Sequence, residues 1–174
     1  MSKFKMQGVR LSFPSLFSTS KFGGEDTGKY EATFILDKKI HKTLIADIIK
    51  SIGVIGEELK TKVPADKLCL KDGDEAGREE YVGKYTLKAS TKKRPLVIDR
   101  DQSPITESDN AIYSGCYVNA IVTLWPQNNQ YGKRINAQLD GVQFNRDGDP
   151  FGDGAVSVNE FDAFATAGDD DFAF

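Results

Sequence analysis

Histidine occurs once in the chain, at His41, and cysteine twice, at Cys69 and Cys116, with no CxxC pair. A His-based catalytic triad or a His-rich zinc site therefore lacks its residues, and neither cysteine carries a nucleophile signature. No GxxxxGK[ST] phosphate loop is present. No apolar run reaches 18 residues and the first segment is not hydrophobic, so neither a membrane span nor a secretory signal is expected. The cysteines are then expected as reduced thiols in a cytoplasmic protein. "DGDE" at Asp72–Glu75 and "DRD" at Asp99–Asp101 have magnesium-ligating residue types, but solvated turns are the commoner setting for both. The expectation is a protein that is not an enzyme and needs no cofactor.

A further absence is one of charge. From Asp147 to Phe174 there are eight acidic residues and no Lys or Arg. Of 26 acidic residues in all, 18 remain to face all 23 basic ones, so a body of +5 carries a strongly acidic end although the whole chain is only −3. Such asymmetry suits a polyanion ligand, and equally a merely solubilising tail. The organisation expected is a folded domain over 1–146 and an acidic, flexible tail over 147–174.

The alternation of residue types supplies the fold. "VRLSF" puts Val9, Leu11 and Phe13 on one strand face before Pro14 stops it. In "KYEATFILD", Tyr30, Ala32, Phe34 and Leu36 alternate with polar neighbours. The period then changes: Ile40, Leu44, Ile45, Ile48, Ile49 and Ile52 recur at three and four, an amphipathic helix facing the core, with Asp37 as N-cap and Gly53 and Gly56 weakening its end. "LKDGDEAGREEYVG" reads as a loop. "KYTLKASTKK", "YVNAIVTLW" and "KRINAQLDGVQF" are strands, the last slipping by one residue at Gly141 as a β-bulge does, and "PQNNQYG" is a hairpin-type loop. The sum is a mainly β protein with one long helix, an OB-like five-stranded barrel with added elements.

The strongest binding signal is the run from Lys84 to Arg100. Lys84, Lys88 and Lys92 share a strand face, with same-face residues roughly 6.6 Å apart, close to the phosphate spacing of an extended single strand. Lys93, Arg94 and Arg100 follow, with Asp99 the one acid. On the next strand Tyr117 and Trp125 lie opposite the apolar row, and Tyr131, Lys133 and Arg134 sit at the adjoining hairpin. Cations beside aromatic platforms are what unpaired nucleic acid requires, since every base has a π-face to stack. The bland alternatives are a solvated lysine face and aromatics packed beneath a loop. "DPFGDGAVSVNEF" has Asp149, Asp153, Ser157 and Glu160 at calcium-loop spacing, but Phe151 stands at a ligand position and no entering helix precedes it. A disordered acidic linker accounts for it better.

With "VRLSFPSLF", "KYEATFILDKK", "KDGDEAG", "KKRPLVIDRD", "IYSGCYVNAIVTLW" and "YGKRINAQLDGVQFNRDGDPFG" in this order, the chain resembles a family of bacteriophage single-stranded DNA-binding proteins. The resemblance implies an OB-fold body, non-sequence-specific DNA binding in phage replication, recombination and repair, and residence in the host cytoplasm. Asp169, Asp170, Asp171, Phe172 and Phe174 match the acidic, aromatic-tipped ending of bacterial proteins of this kind, although Ala173 stands where their tails carry proline; the tail is expected to compete with DNA for the basic groove, to recruit replication proteins, or both. An annealing or recombination mediator and a virion structural or adaptor protein are the alternatives. An oligomer is left open.

Overall fold

The computed structural model describes residues 2–19, 21–22, 24–60, 63–75, 81–109, 111–130 and 132–149. In chain order the elements are β1 (Ser2–Ser15), β2 (Lys21–Phe22), β3 (Glu25–Asp26), β4 (Tyr30–Asp37), α1 (Lys42–Glu58), β5 (Leu70–Asp72), β6 (Lys84–Thr91), β7 (Leu96–Ile98), β8 (Tyr117–Asn129) and β9 (Gly132–Arg146).

β1 pairs antiparallel with both β4 and β8, β4 with β6, and β8 with β9. Parallel pairing of β6 with β9 at Ala89–Ala137 and Ser90–Gln138 then closes a five-stranded barrel, the OB-type architecture expected. Closure requires long strands to coil, and bulges supply the bend. β1 slips between Met6 and Val9, where Gly8 takes a φ of 65°. β9 slips opposite Ile121–Val122, which pair with Gly141 and Leu139, so Asp140 is the extra residue beside the glycine singled out above. Inside, Met6, Leu11, Phe34, Leu36, Leu87, Leu124 and Leu139 are buried.

Several sequence expectations need correcting. Pro14 does not stop β1, which runs to Ser15 across a second irregularity at Ser12–Ser15. β8 runs through Pro126 to Asn129 and β9 begins at Gly132, so most of "PQNNQYG" is strand and not loop. Pro126 is tolerated because β1 last pairs at Leu124, so no ladder bond needs its missing N–H on that side. "LKDGDEAGREEYVG" contains β5, and a short β7 follows β6. The helix runs unbroken past Gly53 and Gly56. It buries Ile45, Ile48 and Ile55, while Ile40 precedes it and is exposed and Ile49 is 47 % exposed.

Asp37 caps the turn before α1 and not the helix itself, whose N-cap is His41. Its carboxylate accepts the Lys39 and Ile40 N–H groups at 2.8 and 3.1 Å and meets the Lys84 ammonium at 3.1 Å. His41 Nδ1 accepts the Asp37 N–H, which leaves hydrogen on Nε2 to donate to Gln7 O. Nearby, Lys38 Nζ sits 2.7 Å from Asp72 and 2.6 Å from Asp74, and Asp74 also accepts the Gly83 N–H. The ammonium occupies the position that a metal cation between these acids would need.

These contacts depress all three carboxyls. Asp37 falls from 3.8 to about 2, chiefly through the Ile40 and Lys39 N–H groups, and Asp72 and Asp74 are lowered chiefly by Lys38. A depressed folded pKa gives stability that is complete above the unfolded value near 3.8 and is lost as pH falls through the folded one. Thermal unfolding should therefore be flat from pH 7 to about 5 and drop between about pH 4 and 2. Lys38→Met should flatten the drop, as followed by circular dichroism; an equally steep curve would remove the clamp from the account.

Candidate nucleic-acid interface

Outward residues of four adjacent barrel strands line one open groove. β4 contributes Glu31 and Thr33, β6 contributes Thr86, Lys88 and Ser90, β8 contributes Trp125 and Gln127, and β9 contributes Arg134 and Asn136. Thr27 and Lys29, from the loop before β4, stand at one rim. The alternation that sends Leu87 and Ala89 inward sends Lys88 and its neighbours out.

A wedge between β6 and β9 completes the lining. Cys69 N–H donates to Ile135 O at 2.9 Å, and the Lys88 N–H donates to Cys69 O at 3.0 Å. This strip carries Asp66, Lys67 and Lys71 to the groove. Burial raises the Cys69 thiol to about 11, which keeps it protonated and unreactive. Cys116 is likewise buried, free and raised.

Five cations thus line the same groove as one half-buried indole: Lys29, Lys67, Lys71, Lys88 and Arg134 with Trp125. Two acids interrupt them, Asp66 and Glu31. Lys88 Nζ lies 3.4 Å from Glu31 Oε2 with its own side chain 63 % exposed, a contact worth little in water and easily exchanged for a phosphate. Asn136 donates to Gln127 Oε1 at 2.8 Å, fixing the amides beside the ring.

Of the sequence candidates, Lys88, Trp125 and Arg134 meet in this groove. Lys92 and Lys93 are exposed in the turn after Thr91, which pairs with Tyr30 next to Lys29. Arg94 lies over the Phe17 ring, 5.8 Å from its centroid. The others are engaged elsewhere. Lys84 is held by Asp37, and Lys133 Nζ donates to Leu59 O at 3.0 Å, at the C-terminal end of α1. Arg100 stands over Phe144, beyond β7. Tyr117 is no open platform, because the Arg146 guanidinium lies 3.8 Å and that of Arg10 5.7 Å from its centroid. Tyr131 lies outside the described residues. Lys29, Lys67 and Lys71 were missed; Lys29 flanks a strand whose polar face was legible, whereas the wedge left no periodic signal.

The C-terminal strand does not let go of the chain at Arg146. Arg10 Nη2 donates to Asp149 O at 2.6 Å, the Tyr113 hydroxyl donates to Asp147 Oδ1 at 2.8 Å, and Gly148 N–H donates to Tyr113. The candidate calcium ligands Asp153, Ser157 and Glu160, and the tip residues Asp169, Asp170, Asp171, Phe172 and Phe174, lie outside the described residues. Among the described residues no three His, Cys, Asp or Glu converge as a metal site, and no helix is long and apolar enough to cross a membrane.

A family model described as "Enterobacter phage Enc34, ssDNA-binding protein" matches residues 2–173. The chain belongs to this family. A relative within reach is putative protein p50 of Acyrthosiphon pisum secondary endosymbiont phage 1, 44 % identical over 177 residues and covering 95 % of each chain. The solved single-stranded DNA-binding protein from bacteriophage Enc34 superposes with a TM-score of 0.78 at 32 % identity, over 93 % of this chain and 89 % of that one. Its structure in complex with ssDNA gives 0.78 at 34 % identity, over 86 % and 89 %. The gp2.5 single-stranded DNA-binding protein of bacteriophage T7 matches at 14 % identity with a TM-score of 0.56, over 88 % and 96 %, a likeness of fold alone. The Enc34 family is one of binding proteins and not of enzymes, in keeping with a groove of cations and one indole.

Proposed function

We propose that the chain binds single-stranded DNA without sequence specificity, along the groove around Trp125, and coats it during phage replication, recombination and repair. The observation that carries this is the conjunction of one accessible indole with five cations lining a single groove. It is supported by membership of a family named for ssDNA binding, with a solved relative in complex with ssDNA. Lys29, Lys67, Lys71, Lys88 and Arg134 neutralise phosphates, Trp125 stacks a base, and Lys92, Lys93 and Arg94 extend the cationic track. The side-chain amides and hydroxyls between them tolerate any base, because backbone charge and stacking dominate.

The acidic tail acts on the same groove. Asp169–Asp171 offer carboxylates where DNA offers phosphates, and tethering gives them a high effective concentration. DNA displaces the tail, which is then free to recruit replication proteins. The test is an oligo-dT titration across a salt series, read by fluorescence of Trp125, the chain's one tryptophan. Five phosphate contacts on a single strand predict a log–log salt slope of about −3 to −4. Neutralising the tip (D169N/D170N/D171N) should raise low-salt affinity. Absence of binding at low salt would sink the reading; unchanged affinity in the variant would remove competition from it.

A further inference from the structure

Glu31 stands where a groove for DNA has least use for a carboxylate. It lies on β4, paired with Ser15 of β1 on one side and Ser90 of β6 on the other. Its outward side chain lines the groove together with Lys29, Lys88 and Trp125. Lys88 pairs with Thr33, two residues along, so the ammonium and the carboxylate are diagonal neighbours across the β4–β6 ladder.

Acids paired with lysine elsewhere in the fold build structure, and this one does not. Asp37, Asp72 and Asp74 each accept backbone N–H groups, and their lysine contacts run from 2.6 to 3.1 Å. Glu31 meets Lys88 more loosely, at 3.4 Å, with side chains 26 % and 63 % exposed respectively. The lysine can therefore swing to a phosphate. The carboxylate, on a strand paired along both edges, stays in the groove. Strands are also poor in glutamate, so backbone preference does not account for the residue. Asp66, the second groove acid, differs in being exposed in the short turn Ala65–Lys67, where it can rotate towards water.

We propose that Glu31 is an autoinhibitory contact, which occupies Lys88 in the empty groove and repels the phosphate that displaces it. The inference rests on DNA lying along this groove and does not involve the tail. Binding exchanges one anion for another at Lys88 and leaves the first beside the second. Like charges so placed at a partly exposed site lower affinity by about 3- to 10-fold. The salt slope becomes shallower too, because a cation taken up by the displaced carboxylate offsets one released from the DNA. The consequence is a coat that the next user of the strand strips more easily, with every groove cation retained.

The test is oligo-dT affinity of the full chain at low salt, read by Trp125 fluorescence. It uses the D169N/D170N/D171N background, in which an acidic tail cannot profit from the same change. Glu31→Gln keeps the side-chain shape and should tighten binding about 3- to 10-fold, steepening the slope by up to about 0.7. Adding Lys88→Gln should shrink that gain, since the contact has two members. Asp66→Asn should change affinity by less than about 2-fold. An equal gain from it would assign the effect to groove charge at large and overturn the role of Glu31. Oligo-dC is the second ligand, because a carboxylate can accept the cytosine amino group. Repulsion predicts the same gain on both oligonucleotides; a loss on oligo-dC would make Glu31 a base contact and overturn the proposal. Unchanged affinity would overturn it as well, and a lowered Tm alongside would mark an acid that only steadies Lys88. If the background chain binds no oligo-dT at low salt, the groove reading falls and this contact with it.

Discussion

Trp125→Ala should weaken oligo-dT binding by roughly 10- to 100-fold while leaving the salt slope almost unchanged. A stacked base is worth about 1–3 kcal/mol on alanine substitution, and the indole is the aromatic side chain that the described groove presents with open lining around it. Ser90, Thr86 and Thr33 offer hydroxyls and Tyr81 is buried with its hydroxyl 2.9 Å from Ser12 Oγ, so no second ring among the described groove residues takes over. Arg134→Gln gives the opposite signature: a loss of a few-fold that grows as salt is lowered, and a slope shallower by about 0.7. Lys84→Gln and Lys133→Gln, whose ammonium groups are held by Asp37 and Leu59 O, should alter neither quantity appreciably. Filter binding or anisotropy replaces tryptophan fluorescence for the alanine variant. Unchanged affinity there would mean that the groove around Trp125 is not where bases lie.

The contrast between those lysines marks how far the sequence could be read. Alternation gives the face of a residue but not its neighbours along the strand. Tyr117 and Trp125 have the same parity on β8, yet eight residues separate them, about 26 Å. One ends beneath two guanidiniums and the other beside the groove cations. Lys84 and Lys88 likewise share a face, and only the register that sets Lys84 opposite Asp37 explains why the first is spoken for. Both facts require knowing which strand lies alongside. The barrel strands, the helix and the bulge at Gly141 were legible because each repeats a local pattern. β5 and β7 were not, since three residues are too few to show a period. The wedge bearing Lys67 and Lys71 was invisible for the same reason, although its lysines complete the groove.

Gly73→Ala tests that wedge from beneath. Gly73 is buried at the start of a 3-10 turn that follows β5 directly, so its backbone fixes where Lys71 and Asp72 stand. An added Cβ would come within 2.5 Å of the Lys84 carbonyl oxygen and nearer still to that of Tyr81. Both obstacles are backbone, and neither can rotate away as a side-chain tip would. Relief requires β5 to shift from β6, which strains the Lys38 contacts with Asp72 and Asp74 and moves Lys71 off the groove wall. Overpacking of this kind costs about 2–4 kcal/mol. For a chain of this size that lowers Tm by roughly 5–15 °C. DNA affinity measured well below the new Tm should fall by less than the Trp125→Ala loss, because Lys71 is one cation of several. A Tm within 2 °C of the parent would show that the turn yields freely, and the wedge would then be held by its bonds to Ile135 and Lys88 and by the β5–β6 ladder, whatever the turn does.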